Sequence, residues 1–146
     1  MSASTQAWIQ LAARVMLGAI FFLSGIRKLL AFAGTVGYMS KSGVPMAEVL
    51  AVLTIILEIG AAVLLIVGYK ARIAALALAV FVAVVTPIFH GYWSVDAAQY
   101  GNQFNHFWKN VSIIGGMLAI FANGAGMFSV DGRNGKVPAP GSRARL

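Results

Sequence analysis

The sequence predicts an all-α integral membrane protein, a four-transmembrane-helix bundle with both termini cytoplasmic. Three observations predict it. The 146 residues are 60% hydrophobic and only 10% charged, outside the range of water-soluble domains, so the bilayer is the solvent. Four apolar runs, Trp8 to Leu30, Met46 to Val67, Ile73 to His90 and His106 to Ala122, approach or exceed the ~20 residues that cross a hydrocarbon core. With four spans, Lys70, Arg72, Arg133, Lys136, Arg143 and Arg145 fall on the side of the termini, against Arg27, Lys28 and Lys41 on the other. By the positive-inside rule the termini are cytoplasmic and the segments around Lys41 and Asp96 face outward.

The first helix spans about residues 7–30. No Lys or Arg precedes Arg14, and Arg27-Lys28 separates the apolar run from the cleavage-like Ala31-Phe32-Ala33, so it reads as a retained helix and not a signal peptide. Gly34, Gly37, Gly43 and Pro45 break the next segment into an outward loop. The second helix covers about 46–68. A link as short as Tyr69-Lys70 makes the third helix, about 71–91, its antiparallel neighbour. A second outward segment, Gly91 to Asn105, leads to the fourth helix, about 104–123. Residues 1–123 therefore form the transmembrane domain. Over 124–146 Gly, Pro and Arg accumulate and the apolar periodicity stops, which predicts a basic cytoplasmic tail, flexible unless a partner holds it. Ala13-Arg14-Val15 is echoed by Ala71-Arg72-Ile73, and Ile59-Gly60-Ala61 by Ile114-Gly115-Gly116, a faint repeat relating two helical hairpins.

In lipid the packed face of a helix is small or polar and the exposed face greasy, so small and polar residues at three- and four-residue steps mark the interior. The expected inward stripes are Arg14, Gly18, Phe21, Gly25 and Lys28; Ala47, Ala51, Thr54, Glu58 and Ala61; and Arg72, Leu76, Ala79, Ala83, Thr86 and His90. On the fourth helix the stripe is Asn105, Lys109, Ser112, Gly116, Ala119 and Asn123. An alanine ridge, Ala71, Ala75, Ala79 and Ala83, admits a close neighbour.

Glu58 falls midway along the second helix, where an ionised carboxylate costs roughly 2.5–3.5 kcal/mol without a partner. Counting depth from the outward helix ends makes Arg14 its leading partner. The pair is either a fixed structural bridge or part of a site in which Glu58 accepts a proton. Lys28, Thr86, His90, His106, Lys109 and Asn110 gather at the outward ends among Tyr92, Trp93, Tyr100, Phe104, Phe107 and Trp108, an interfacial aromatic belt. His90 and His106 have no carboxylate beside them, so no metal site is expected. The absence of cysteine removes disulfides, thiolate metal sites and iron–sulfur ligation, and any redox role requires a bound cofactor or substrate. The +7 net charge is dispersed over termini and loops, without the clustered face that nucleic acid requires.

Arg14-Val-Met-Leu-Gly-Ala-Ile-Phe-Phe-Leu-Ser-Gly-Ile-Arg-Lys28-Leu, Leu57-Glu58-Ile-Gly60, and Asn105-His106-Phe-Trp-Lys109-Asn110 followed by Gly115-Gly116 resemble the three signature segments of the DoxX family of small bacterial membrane proteins. The resemblance covers Ala12 to about Asn123. It implies a four-helix protein of the bacterial inner membrane, with Arg14, Gly25, Lys28, Glu58, His106, Lys109 and Asn110 on motif positions. Some relatives are linked to quinone-dependent sulfur oxidation and others to membrane oxidoreductase complexes. The expected function is a quinone-interacting, redox-associated membrane subunit. Its binding candidates are Arg14, Lys28, Glu58, His90, His106, Lys109 and Asn110, and Glu58 is the candidate proton acceptor. No covalent cofactor is expected. The alternatives are a non-catalytic membrane subunit that anchors or stabilises a larger membrane complex, and a small carrier for a lipid or weak acid; the expected partners are the lipid bilayer and either further copies of the chain in a homo-oligomer or the other subunits of a larger membrane complex.

Overall fold

The computed structural model describes residues 1–134 and is helical throughout. Six helices run α1 Ala3–Leu30, α2 Phe32–Lys41, α3 Ala47–Val67, α4 Ala71–His90, α5 Ala97–Asn123 and α6 Val130–Arg133, with a 3-10 turn at Tyr92–Ser94. Three stretches, Ala3–Leu30, Ala47–Val67 and Ala71–Ser94, are long and apolar enough to cross a membrane. α5 has 27 residues, but Gln99, Asn102, Gln103, Asn105, His106, Lys109 and Asn110 dilute the hydropathy of its first half.

Local chemistry sets the helix ends. Ser2 caps α1 by accepting from the Thr5 amide at 3.1 Å. Asp96 does the same for α5 through Gln99 at 2.9 Å, which starts that helix at Ala97 and not near residue 104. Gly68, at φ 71°, closes α3 in the left-handed conformation and returns the chain into α4.

The segment expected to loop outward over 31–45 is largely helix. Gly34 and Gly37 each weaken α2 by up to about 1 kcal/mol. Burial of Met39, with Phe32, Val36 and Val44, against Ala47, Ala51, Leu50 and Phe89 outweighs that loss.

α1 packs along α3 and α4 along α5, so the two hairpins hinted at by the sequence echoes are the two main packing pairs. α3 and α4 join them through a core of Phe21, Ala62, Leu65, Ala74, Ala75, Leu78 and Met117. Glycines permit the close approach of α1 to α3. A Cβ on Gly18 would lie 2.5 Å from Ile66 Cγ1, and one on Gly25 2.6 Å from Ile59 Cγ1. These contacts fix the register: Leu30 comes level with about Thr54, so the first two turns of α3, roughly 10 Å, extend beyond α1. α2 folds against that extension. At the opposite end α1 overhangs α3, and residues 124–134 pack beneath the overhang, with Phe128 edge-on to Trp8 at 4.8 Å and Ala125, Ser129 and Asp131 buried. The expected flexible tail is thus a folded segment through 134; its remainder, 135–146, lies outside the described residues.

The expected inward stripes hold on α1 and α3, where Arg14, Gly18, Phe21, Gly25, Ala47, Ala51, Glu58 and Ala61 are buried and Lys28 and Thr54 half-buried. On α4, Ala71, Ala75, Ala79 and Thr86 are buried, whereas Arg72, Leu76 and Ala83 are exposed. The stripe on α5 is corrected. Asn105, Lys109, Ser112, Ala119 and Asn123 are exposed, and Met117 and Ile120 are the buried residues. α5 presents its bulky side chains to α4, because the alanine face of α4 leaves volume for them.

Ala79, 4% exposed, and the exposed Ala83 therefore separate cleanly. Ala79→Leu should lower stability in detergent by about 1–3 kcal/mol through overpacking, and Ala83→Leu should be nearly silent. Thermal unfolding of both variants checks the assignment; equal losses would contradict it.

Candidate functional site

The α1–α3 register determines which cation meets Glu58. Lys28, on the last turn of α1, places its Nζ 2.8 Å from both carboxylate oxygens, while Glu58 is 3% exposed. Ser24, one turn before Lys28, accepts from the ammonium at 2.6 Å and points its hydroxyl at Glu58 Oε1, 3.4 Å away. The expected Glu58–Arg14 pair is not formed. It assumed that α1 and α3 begin level at their outward ends, and the observed offset moves Arg14 about three turns away from Glu58.

Arg14 instead caps helix ends at the other pole. It is 1% exposed, donates to the carbonyls of Leu65 at 3.2 Å and Ile66 at 2.8 Å, and reaches the Phe128 carbonyl. A guanidinium at the C-terminus of α3 both satisfies orphan carbonyls and opposes the negative end of the helix dipole. Arg72 does the same for α5 through Phe121 and Ala122. Asp131 completes the arrangement with the opposite sign. Its carboxylate accepts from the Lys70 and Ala71 amides at the start of α4, both at 3.0 Å, and its own amide donates to Gly68 at 2.9 Å.

Beside the Lys28–Glu58 pair lies a cavity of about 710 Å³ bordered by α1 to α5. Phe21, Met39, Leu50, Phe81, Val82, Val85, Phe89 and Ile113 make its walls apolar. Its polar groups are Ser24, Lys28, Thr54 and Glu58 from one hairpin, Thr35 from α2, and His90 and Asn110 from the other hairpin. Tyr38 of α2, stacked on Phe89 at 5.4 Å, and Arg27 border it as exposed residues. Apolar walls around a few convergent polar groups are the usual build of a small-molecule site.

The second hairpin holds its polar groups firmly. Thr86 donates to the Val82 carbonyl at 2.6 Å and accepts from Asn110 Nδ2 at 3.0 Å. His90 Nδ1 meets Gln103 Oε1 at 2.8 Å, and its ring stacks on His106 at 4.9 Å. Lys109 is exposed and bonds His106 Nδ1 at 3.0 Å. Of the seven candidates, Lys28, Glu58, His90 and Asn110 share the cavity, His106 and Lys109 stand behind His90, and Arg14 is elsewhere. The sequence reading of the site lacks Ser24, Thr54 and Asp131, and has Thr86 only as a member of the outward polar cluster. Ser24 had a signal, its four-residue spacing from Lys28 on the same face. Among the described residues no group of three or more His, Cys, Asp or Glu is placed to hold a metal. Aromatic rings cluster at this end, Tyr92 lying edge-on to Trp93, Tyr100, Phe104 and Phe107.

Long apolar helices packed around a buried ion pair and an amphiphilic cavity define a multi-pass α-helical membrane protein with an internal cavity. The chain belongs to the DoxX family, whose pattern it matches over residues 9–91. It is 35% identical to inner membrane protein YphA of Escherichia coli K12 over 84% of this chain and 88% of that one. It is 33% identical to inner membrane protein YqjF of the same organism, over 83% and 88%. A Schizosaccharomyces pombe Surfeit locus protein 4 homolog is 33% identical over 85% of this chain, which spans 37% of that longer protein. No solved structure is significantly similar. The protein is a multi-pass protein of the bacterial inner membrane.

Among the described residues Asp131 is the one side chain that caps the start of α4, so Asp131→Ala should lower stability in detergent by about 1–2 kcal/mol. Asp131→Asn, which keeps one acceptor oxygen, should lose less. Chemical or thermal unfolding of the two variants measures this, and an unchanged Asp131→Ala protein would show that the segment after Gly124 is not latched to the bundle.

Proposed function

We propose that the cavity binds the head group of a membrane quinone, and that the protein works as a quinone-interacting, redox-associated subunit of the inner membrane. The observation that carries the reading is the cavity itself: about 710 Å³ of apolar-walled space with an ion pair and the polar side chains of Ser24, Thr35, Thr54, His90 and Asn110 on its surface. A quinone ring is flat, apolar on its faces and polar at two opposite edges. Phe81, Phe89 and Tyr38 offer ring surfaces, and the Lys28–Glu58 pair and the His90/Asn110 pair offer one polar group for each edge. Glu58 is the candidate proton acceptor. The isoprenoid tail would lie among the apolar walls and reach the bilayer.

The same proposal includes four spans, with α5 as the fourth, and both termini cytoplasmic. Supporting it are the length of α5, its packing along α4, and the six-to-three cation bias between the two sides. Residues 124–146 then lie on the cytoplasmic side.

A second reading, a subunit that anchors or stabilises a larger membrane complex or a homo-oligomer, is favoured by the exposed face of α5. Asn105, Lys109, Ser112 and Asn123 all point away from the rest of the chain. Polar side chains facing hydrocarbon are costly, and a neighbouring helix would relieve that cost. The two readings are compatible.

Native-lipid extraction tests the first. Protein purified in mild detergent should carry close to one quinone per chain. The Lys28→Met/Glu58→Leu double variant, which removes both charges and so leaves neither unpaired, should carry at least about tenfold less at an unchanged size-exclusion profile. Quinone at the detergent background in the unaltered protein would refute the reading.

A further inference from the structure

We infer that the cavity discriminates between redox forms, binding the hydroxyl-bearing quinol more tightly than the quinone. The inference rests on the quinone reading above and adds the direction of its selectivity. It follows from counting which hydrogen-bonding groups are still free.

The donors at the ion pair are already committed. Lys28 has three N–H groups, and Ser24 Oγ, Glu58 Oε1 and Glu58 Oε2 take one each. A quinone carbonyl arriving here would find no ammonium proton to accept. Glu58 keeps spare lone pairs, since a carboxylate offers about four acceptor sites and uses two for Lys28 and one for Ser24. What this edge of the cavity offers is an acceptor.

The opposite edge is set the same way. The Thr86 hydroxyl gives its only proton to the Val82 carbonyl, so towards Asn110 it can act only as an acceptor. That assigns the Asn110 amide: Nδ2 faces Thr86, and Oδ1 accepts no hydrogen bond among the described residues. Asn110 borders the cavity, and its Oδ1 is not fully buried. His90 also borders the cavity, with its Nδ1 taken by Gln103 at 2.8 Å. Thr35 gives its proton to the Ala31 carbonyl at 3.1 Å, the Thr54 and Tyr38 hydroxyls can donate or accept, and Arg27, with no side-chain hydrogen bond among the described residues, is an exposed cationic donor.

Acceptors at both edges suit a ring with a hydroxyl at each edge. A quinone presents carbonyl lone pairs in the same places, facing the lone pairs of Glu58 and Asn110 with no proton between them. A site built to accept from a hydroxyl rejects the analogue that lacks it far more strongly than an apolar pocket rejects a change of size.

Anaerobic calorimetric titration of the full-length protein with decylubiquinol and with decylubiquinone tests this directly. The quinol should bind at least about tenfold more tightly. Thr86→Val, which keeps the shape but frees the Asn110 amide to turn, and Asn110→Leu, which removes the acceptor, should each bring the ratio below about threefold in protein that unfolds at the normal temperature. Using a ratio within one preparation separates selectivity from any general loss of fold. Equal affinities, or a tighter quinone, would overturn the inference and leave quinone binding standing. A tenfold preference that survives both substitutions would also overturn it, because the assigned acceptors would not be its source. Binding of neither compound would overturn the inference together with the reading beneath it.

Discussion

The register at which α1 lies on α3 is the constraint from which the rest of the structure follows. Gly18 and Gly25 admit Ile66 and Ile59 so closely that α1 cannot slide by a turn without driving a Cβ-branched side chain into its backbone. This fixed offset leaves two unfilled steps, one at each end of the pair. α2 fills the first by packing Met39 against Ala47 and Ala51, and residues 124–134 fill the second beneath Trp8. The offset also decides the electrostatics, because it brings Lys28 level with Glu58 and Arg14 level with the C-terminus of α3.

The two poles use charge differently. Around Arg14, Arg72 and Asp131, charged side chains meet backbone groups at helix termini with the sign that the helix dipole favours. These are fastenings, and each replaces water that the membrane or the packing excludes. The Lys28–Glu58 pair is another matter. A buried ion pair is weak evidence for stability, since apolar residues of similar size often serve as well. Here the pair borders a cavity and faces His90 and Asn110 across it, an arrangement that a fastening alone does not require.

The fold was legible where composition and small-residue spacing act locally. The inward faces of α1 and α3 could be read because close helix contact in lipid selects Gly and Ala, and those residues recur at three- and four-residue steps. The partner of Glu58 was not legible. Depth along a helix can be counted, but the relative height of two helices depends on how the chain between them packs, and over 31–45 the glycines and Pro45 predict a loop where the chain forms α2. Gly34 and Gly37 argued against a helix there, and the burial of Met39 and Val36 prevailed. α5 misled for a complementary reason. Its polar stripe satisfies the rule for an inward face, but the alanine-lined face of α4 accommodates Met117 and Ile120. Asp131 lies beyond the apolar periodicity, and nothing local to its sequence indicates that it returns to the start of α4. In the site, the types of residue were readable and their grouping was not: Lys28, Glu58, His90 and Asn110 meet, and Arg14 and Lys109 do not join them.

A pair of double-mutant cycles on unfolding free energy in detergent tests the register most directly, because coupling energy reports contact and is insensitive to the cost of either single change. For Lys28→Met with Glu58→Leu the account predicts a coupling on the order of 2–3 kcal/mol, each single variant leaving a charge stranded that the double variant removes. For Arg14→Met with Glu58→Leu it predicts a coupling within about 0.5 kcal/mol of zero, the two losses simply adding. Strong coupling of Glu58 to Arg14 with none to Lys28 would place α1 about three turns from where it is described here, and the cavity and its polar edges would go with it.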